Sequence, residues 1–97
     1  MTGSDVTDLA IHRFLLPLGP VVEISMPAGA RILSVTSYLD LYCALWALVD
    51  IHAGTTVRKF RMYQTHMPVE NKPQIIDNFI GTVHEAAMVW HVFEERK

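Results

Sequence analysis

The chain has 97 residues, 51% of them hydrophobic and 19% charged, and a formal net charge of −2 with histidine neutral. That is one folded domain, too short to enclose a large cofactor in a core that buries roughly 60–65% of the unfolded surface. The acidic balance excludes nucleic-acid binding by bulk electrostatics, and the single cysteine, Cys43, excludes an intrachain disulfide framework and a cysteine-rich zinc site.

Residues 1–8 read as a loose polar N-terminus ahead of a single β domain over 9–97. The first ten residues, MTGSDVTDLA, carry two Asp and no Lys or Arg, so they lack the basic start of a signal peptide. No apolar run approaches the ~20 residues of a membrane-spanning helix. A soluble intracellular protein with a reduced Cys43 is expected, with no membrane partner. Mean hydropathy is positive, and excess apolar surface on a small chain often lies in a subunit interface, so a homo-oligomer is expected.

From there breakers recur at short intervals: Pro17, Gly19, Pro20, Pro27, Gly29, Asp40, Gly54, Pro68, Pro73 and Gly81. Between them lie short runs rich in Val, Ile, Thr and aromatics, the pattern of an all-β sandwich or barrel. Ile11–Leu16 and Val21–Met26 read as a hairpin across Pro17-Leu18-Gly19-Pro20, with Leu15 opposite Val22 and Ile11 opposite Met26 on a core-facing side. Pro27-Ala28-Gly29-Ala30 turns the chain into Arg31–Ser37. Leu41–Asp50 reads as a central strand buried on both faces; a helix capped by Asp40 is the alternative, because Leu41, Leu45 and Leu48 share a helical face. Thr56–Thr65 alternates, with Arg58, Phe60, Met62 and Gln64 on one side and Val57, Lys59, Arg61 and Tyr63 on the other. Pro68–Asp77 is a proline-punctuated loop with room for a short helical turn. Phe79–His84 and Met88–Glu94 form a final hairpin that sets Val83 opposite Trp90, Gly81 opposite Val92, Thr82 opposite His91 and Ile80 opposite Phe93. The expected fold is therefore all-β, a small sandwich or open barrel of six or seven mostly antiparallel strands.

Catalytic chemistry finds little purchase. The five histidines show no His-x-His or His-Glu-x-x-His spacing. His84 and His91 lie diagonally on one face of the last hairpin and His66 sits in a loop, an arrangement that ordinary sheet histidines explain as well as a metal does. Cys43 lies in an apolar run that makes its thiol inert. Ser25, Ser34 and Ser37 have no visible base, and no glycine-rich phosphate loop exists. Glu94 and Glu95 beside Arg96 and Lys97 look like a solvated end. No catalytic residue, metal or cofactor is expected. The one concentrated positive stretch is Arg58-Lys59-Phe60-Arg61. On a strand it aligns Lys59, Arg61 and Tyr63, which with His66 make a candidate site for a small anion such as a nucleotide; the plain alternative is a solvated outer face. Trp46, Trp90 and Phe93 are core residues or subunit-interface residues.

The segments Met26–Leu33 (MPAGARIL), Leu45–Asp50 (LWALVD), Phe79–Thr82 (FIGT) and Val89–Glu94 (VWHVFE), in that order and spacing, resemble a family of small proteins encoded by tailed bacteriophages and prophages. The resemblance covers about residues 11–95 and implies a strand at Trp46. Thr65-His66-Met67-Pro68 stands where members often have a Thr-Gly-His-Pro-like turn, so the glycine is absent here. It supplies no catalytic residue. It implies a phage origin; the missing catalytic constellation and metal spacing, the high apolar content and the one basic-aromatic strand point to a non-enzymatic phage accessory protein in the host cytoplasm, or in the virion, that works by binding. Its sharpest form is a sponge for a nucleotide-type host-defence signal, or an inhibitor of a host protein. A structural or morphogenetic component is the second reading, and a metal enzyme using His66, His84 and His91 the third. Basic residues pointing into an intersubunit cleft favour ligand binding; a flat apolar face favours assembly.

Overall fold

The computed structural model describes residues 8–85 and 87–97. Seven strands run in chain order: β1 (Leu9–Pro17), β2 (Val21–Pro27), β3 (Arg31–Ser37), β4 (Tyr42–Asp50), β5 (Thr55–Gln64), β6 (Phe79–Glu85) and β7 (Met88–Glu95), with one helical turn, α1 (Pro73–Ile76), between β5 and β6. They form a three-stranded sheet, β1-β4-β3, and a four-stranded sheet, β2-β5-β7-β6, with every pairing antiparallel. The fold is thus a small all-β sandwich, not a closed barrel. Residues 1–7 of the expected loose N-terminus lie outside the described residues; Asp8 accepts the Ile51 amide and pairs with His52. No described helix is long and apolar enough to cross a membrane.

The core forms where the inward faces of the sheets meet. Leu45, Val49, Cys43 and Ala47 from β4, Leu16 from β1, Met26 from β2, Phe60 and Met62 from β5 and Val92 from β7 are almost wholly buried there. Segment 42–50 is a strand because it is paired on both sides, with β1 and with β3. Of its outward positions Ala44 is 1% exposed and Trp46 and Leu48 are half-buried, so the middle of the strand is apolar on both faces and mimics a helix face.

Two sequence expectations are corrected. β1 and β2 are not a hairpin: β1 pairs with β4 and β2 with β5, so Pro17–Pro20 is an arch between sheets. Pro17 and Pro20 lack the N–H that a closing ladder needs, and the arch is tied elsewhere, Leu18 N–H to Leu41 C=O and Met62 N–H to Pro20 C=O. As a result Phe14 and Leu16 turn toward the core, while Ile11 and Leu15, expected inside, are 61% and 40% exposed. The final hairpin keeps the expected pairs Val83–Trp90, Gly81–Val92 and Thr82–His91, but a bulge at Ile80 sets Phe79, not Ile80, opposite Phe93.

Candidate functional site

Strand alternation in β5 delivers the expected row: Lys59, Arg61 and Tyr63 share the outer face of the four-stranded sheet, opposite to Phe60 and Met62. Segment 70–78 reaches this face. Glu70 Oε1 lies 3.2 Å from Arg61 Nη1 and Glu95 Oε1 lies 2.6 Å from Arg61 Nε. The hydrogen bond to Arg61, reinforced by the Arg61 and Lys59 charges, holds the Glu95 carboxyl below its ordinary value. Likewise the hydrogen bond from Lys72, 3.0 Å away, lowers Glu70. Arg61 is therefore engaged by two carboxylates. The Tyr63 ring stands edge-on to Phe93 at 5.8 Å, Phe93 packs on Phe79 at 5.2 Å, and the Tyr63 hydroxyl is buried with no partner among the described residues. α1 packs against β7, and its Ile75 is fully buried outside the inter-sheet core. His66 is exposed in the turn beyond β5, with a left-handed φ of 76°. The structure brings three of the four candidates onto one face, with the Arg61 guanidinium engaged and the Tyr63 hydroxyl buried but Lys59 in no ion pair among the described residues, and sets His66 apart in the turn.

At the Thr55 end of β5 lies an open cleft of about 780 Å³, lined by Arg58, Lys59, Arg96 and Lys97 together with Glu23, Glu94 and Glu95. Its cations are not all available. Arg58 Nε and Nη2 donate to the two Glu94 carboxylate oxygens at 2.6 and 2.8 Å, Arg58 Nη1 donates to the Ala30 carbonyl, and Arg96 Nε and Nη2 donate to Glu94 Oε1 at 3.1 and 3.0 Å. Glu94 is only 4% exposed, so it is not part of a solvated end as the sequence implied. Burial pushes its carboxyl up, but the hydrogen bonds and charges of Arg58 and Arg96 outweigh burial and hold it below the usual 4.5. The missed signal is parity: Arg58 lies in phase with Phe60 and Met62, and Glu94 with Val92, so both point inward. Lys59 and Lys97 are the lining cations with no ion pair among the described residues.

His91 is clamped between two hydroxyls, Thr65 Oγ1 at 2.8 Å from Nε2 and Thr82 Oγ1 at 3.0 Å from Nδ1. Among the described residues no group of three or more His, Cys, Asp or Glu side chains could hold a metal ion. Cys43 is fully buried, its thiol pushed up to about 11 by burial and then by the nearby Glu85 charge.

The outer face of the three-stranded sheet is of a different kind. Period-2 alternation puts Leu9, Ile11 and Leu15 of β1 beside Tyr42, Trp46 and Leu48 of β4. Leu9, Ile11, Leu15 and Tyr42 are each 40–61% exposed. Arg13 is the charge at the middle of this face, 4.8 Å above the Tyr38 ring. Trp46 is half-buried here and donates its indole N–H to Thr36 Oγ1. Trp90 instead packs on the core with its indole N–H unpartnered among the described residues, and Phe93 lies on the opposite sheet's outer face. Trp46 thus lies on one outer face, Trp90 against the core and Phe93 on the other outer face.

Residues 8–97 match a domain of unknown function, DUF7352. The chain belongs to that family. DUF7352 here spans all seven strands and both outer faces, so the apolar face and the charged cleft both lie within the family domain. No curated protein and no solved structure matches.

Proposed function

We propose that this DUF7352 protein is a non-enzymatic phage or prophage accessory protein that works by association with other protein chains, as an assembly or structural component. The observation that carries the reading is the apolar outer face of the β1-β4-β3 sheet. A solvated outer face alternates apolar-in with polar-out; this one repeats Leu, Ile, Leu on an outer strand. The exposed apolar face supports assembly over ligand binding. The face is apolar along β1 on either side of Arg13, whereas the Lys59–Tyr63 row has its guanidinium engaged by Glu95 and Glu70 and its hydroxyl buried. Sequestration of a nucleotide retains one supporting feature, the unpaired Lys59 and Lys97 at the cleft. Native mass spectrometry of the protein purified from bacterial cells decides between them. Assembly predicts multimers of the 11.0 kDa chain with no retained small molecule. A monomer carrying nucleotide-sized mass that Lys59→Glu removes would overturn the assembly reading in favour of sequestration.

A further inference from the structure

We propose that the outer face of the β1-β4-β3 sheet is occupied by a second copy of this chain, packed face to face about a twofold axis; the inference rests on the assembly reading and names its partner. The first argument is area. Leu9, Ile11, Leu15 and Tyr42 are 40–61% exposed around the half-buried Trp46 and Leu48. Those four fractions alone amount to roughly 400 Å² of mostly apolar side chain, a patch as large as the largest on a typical monomer and about half of the ~800 Å² per partner of a standard interface.

The second argument is charge. The face carries Arg31 on β3 and Asp50 on β4 at the same end of the sheet, since Arg31 pairs with Leu48 and Leu9 with Asp50. Arg31 makes no ion pair among the described residues, and Asp50 uses Oδ1 to accept the His52 amide, leaving Oδ2. A twofold running along β4 lays β1 of each copy over β3 of the other; it brings the two Asp50 carboxylates together at the axis and sets an Arg31 on either side, each beside Asp50 of the partner subunit. The face is thus complementary to itself in charge as well as in apolar content. Arg13, laid against Tyr38, keeps its charge over an aromatic ring as the face is covered. An isologous contact of this kind closes at two subunits.

The test is sedimentation velocity over a concentration series of the full chain. The expected result is a reversible dimer that Ile11→Glu converts to monomer, while Val57→Glu, equally exposed at 61% but on β5 of the other sheet, leaves it intact. Arg31→Asp and Asp50→Arg singly raise the dimer dissociation constant about tenfold or more, and the double swap restores it to within a few-fold of the parent. Circular dichroism of each variant separates loss of pairing from loss of fold. A monomer at every concentration overturns the proposal. So does a multimer indifferent to Ile11→Glu or unrescued by the swap, an outcome that leaves association itself standing and moves it to another surface. A nucleotide-loaded monomer overturns both readings.

Discussion

Replacing Arg58 by Met would remove a guanidinium that touches both sheets. It holds Glu94 within the four-stranded sheet by two hydrogen bonds and donates to the Ala30 carbonyl at the entry to β3. The side chains are 12% and 6% exposed, so the substitution strands a nearly buried carboxylate that only Arg96, itself 58% exposed, still satisfies. Breaking a buried pair from one side costs about 3–5 kcal/mol. With Arg96 remaining, the low end applies, about 3 kcal/mol, or a fall in Tm of roughly 12–25 °C for a domain of this size. Glu94→Leu leaves Arg58 with the Ala30 carbonyl alone and should cost a similar amount. The double variant Arg58→Met/Glu94→Leu strands no charge and should lie within about 1 kcal/mol of the parent, because apolar replacement of a buried pair is often neutral. The assay is urea unfolding at one fixed protein concentration, since association adds to apparent stability, followed by the fluorescence of Trp46 and Trp90. Single variants each costing under about 1 kcal/mol, the range of exposed pairs, would refute the burial argument.

Other outcomes follow from the same geometry. Because the folded Glu94 carboxyl is depressed below 4.5, its stabilisation is present above that value and lost as pH falls through the folded value; Glu94→Gln should flatten the fall in urea midpoint below about pH 4.5, and an unchanged acid limb would contradict this. Gly81→Ala places a Cβ 2.9 Å from Val35 Cγ1, where β6 meets β3, and should cost about 1–3 kcal/mol by overpacking; a neutral effect in the same urea assay would mean that this junction is loose. Cys43 should resist a thiol reagent at pH 8 in the native protein and react fully in urea, since its thiol is buried with its pKa at about 11; prompt native labelling would show that the core opens.

What the sequence made legible, and what it did not, divides by the range of the interaction. The β6–β7 register could be read because two adjacent strands joined by a short turn leave few choices, and it failed only past Gly81, where the bulge at Ile80 has no local signature beyond the glycine itself. The arch at Pro17–Pro20 resembled a hairpin turn because proximity in sequence favours pairing; its real ties are to Leu41 and Met62, from strands that the local pattern cannot see. That one misplacement turned Ile11 and Leu15 inward on paper and hid the apolar face. β5 alternation was read correctly, so Lys59, Arg61 and Tyr63 fell on one face as expected, but Glu70 and Glu95 come from other segments and their engagement of Arg61 is a tertiary fact. Glu94 was readable in principle from its phase with Val92, yet its nearness to the chain end made solvation the simpler reading.

The most direct test of the assembly reading compares the parent chain with Ile11→Glu by light scattering coupled to size exclusion, at matched concentrations. The expected result is a parent of twice the 11.0 kDa chain mass and a folded variant of one chain. A parent that elutes as a monomer, or a variant that keeps the parent's mass, would contradict the assignment of this face as the self-association surface.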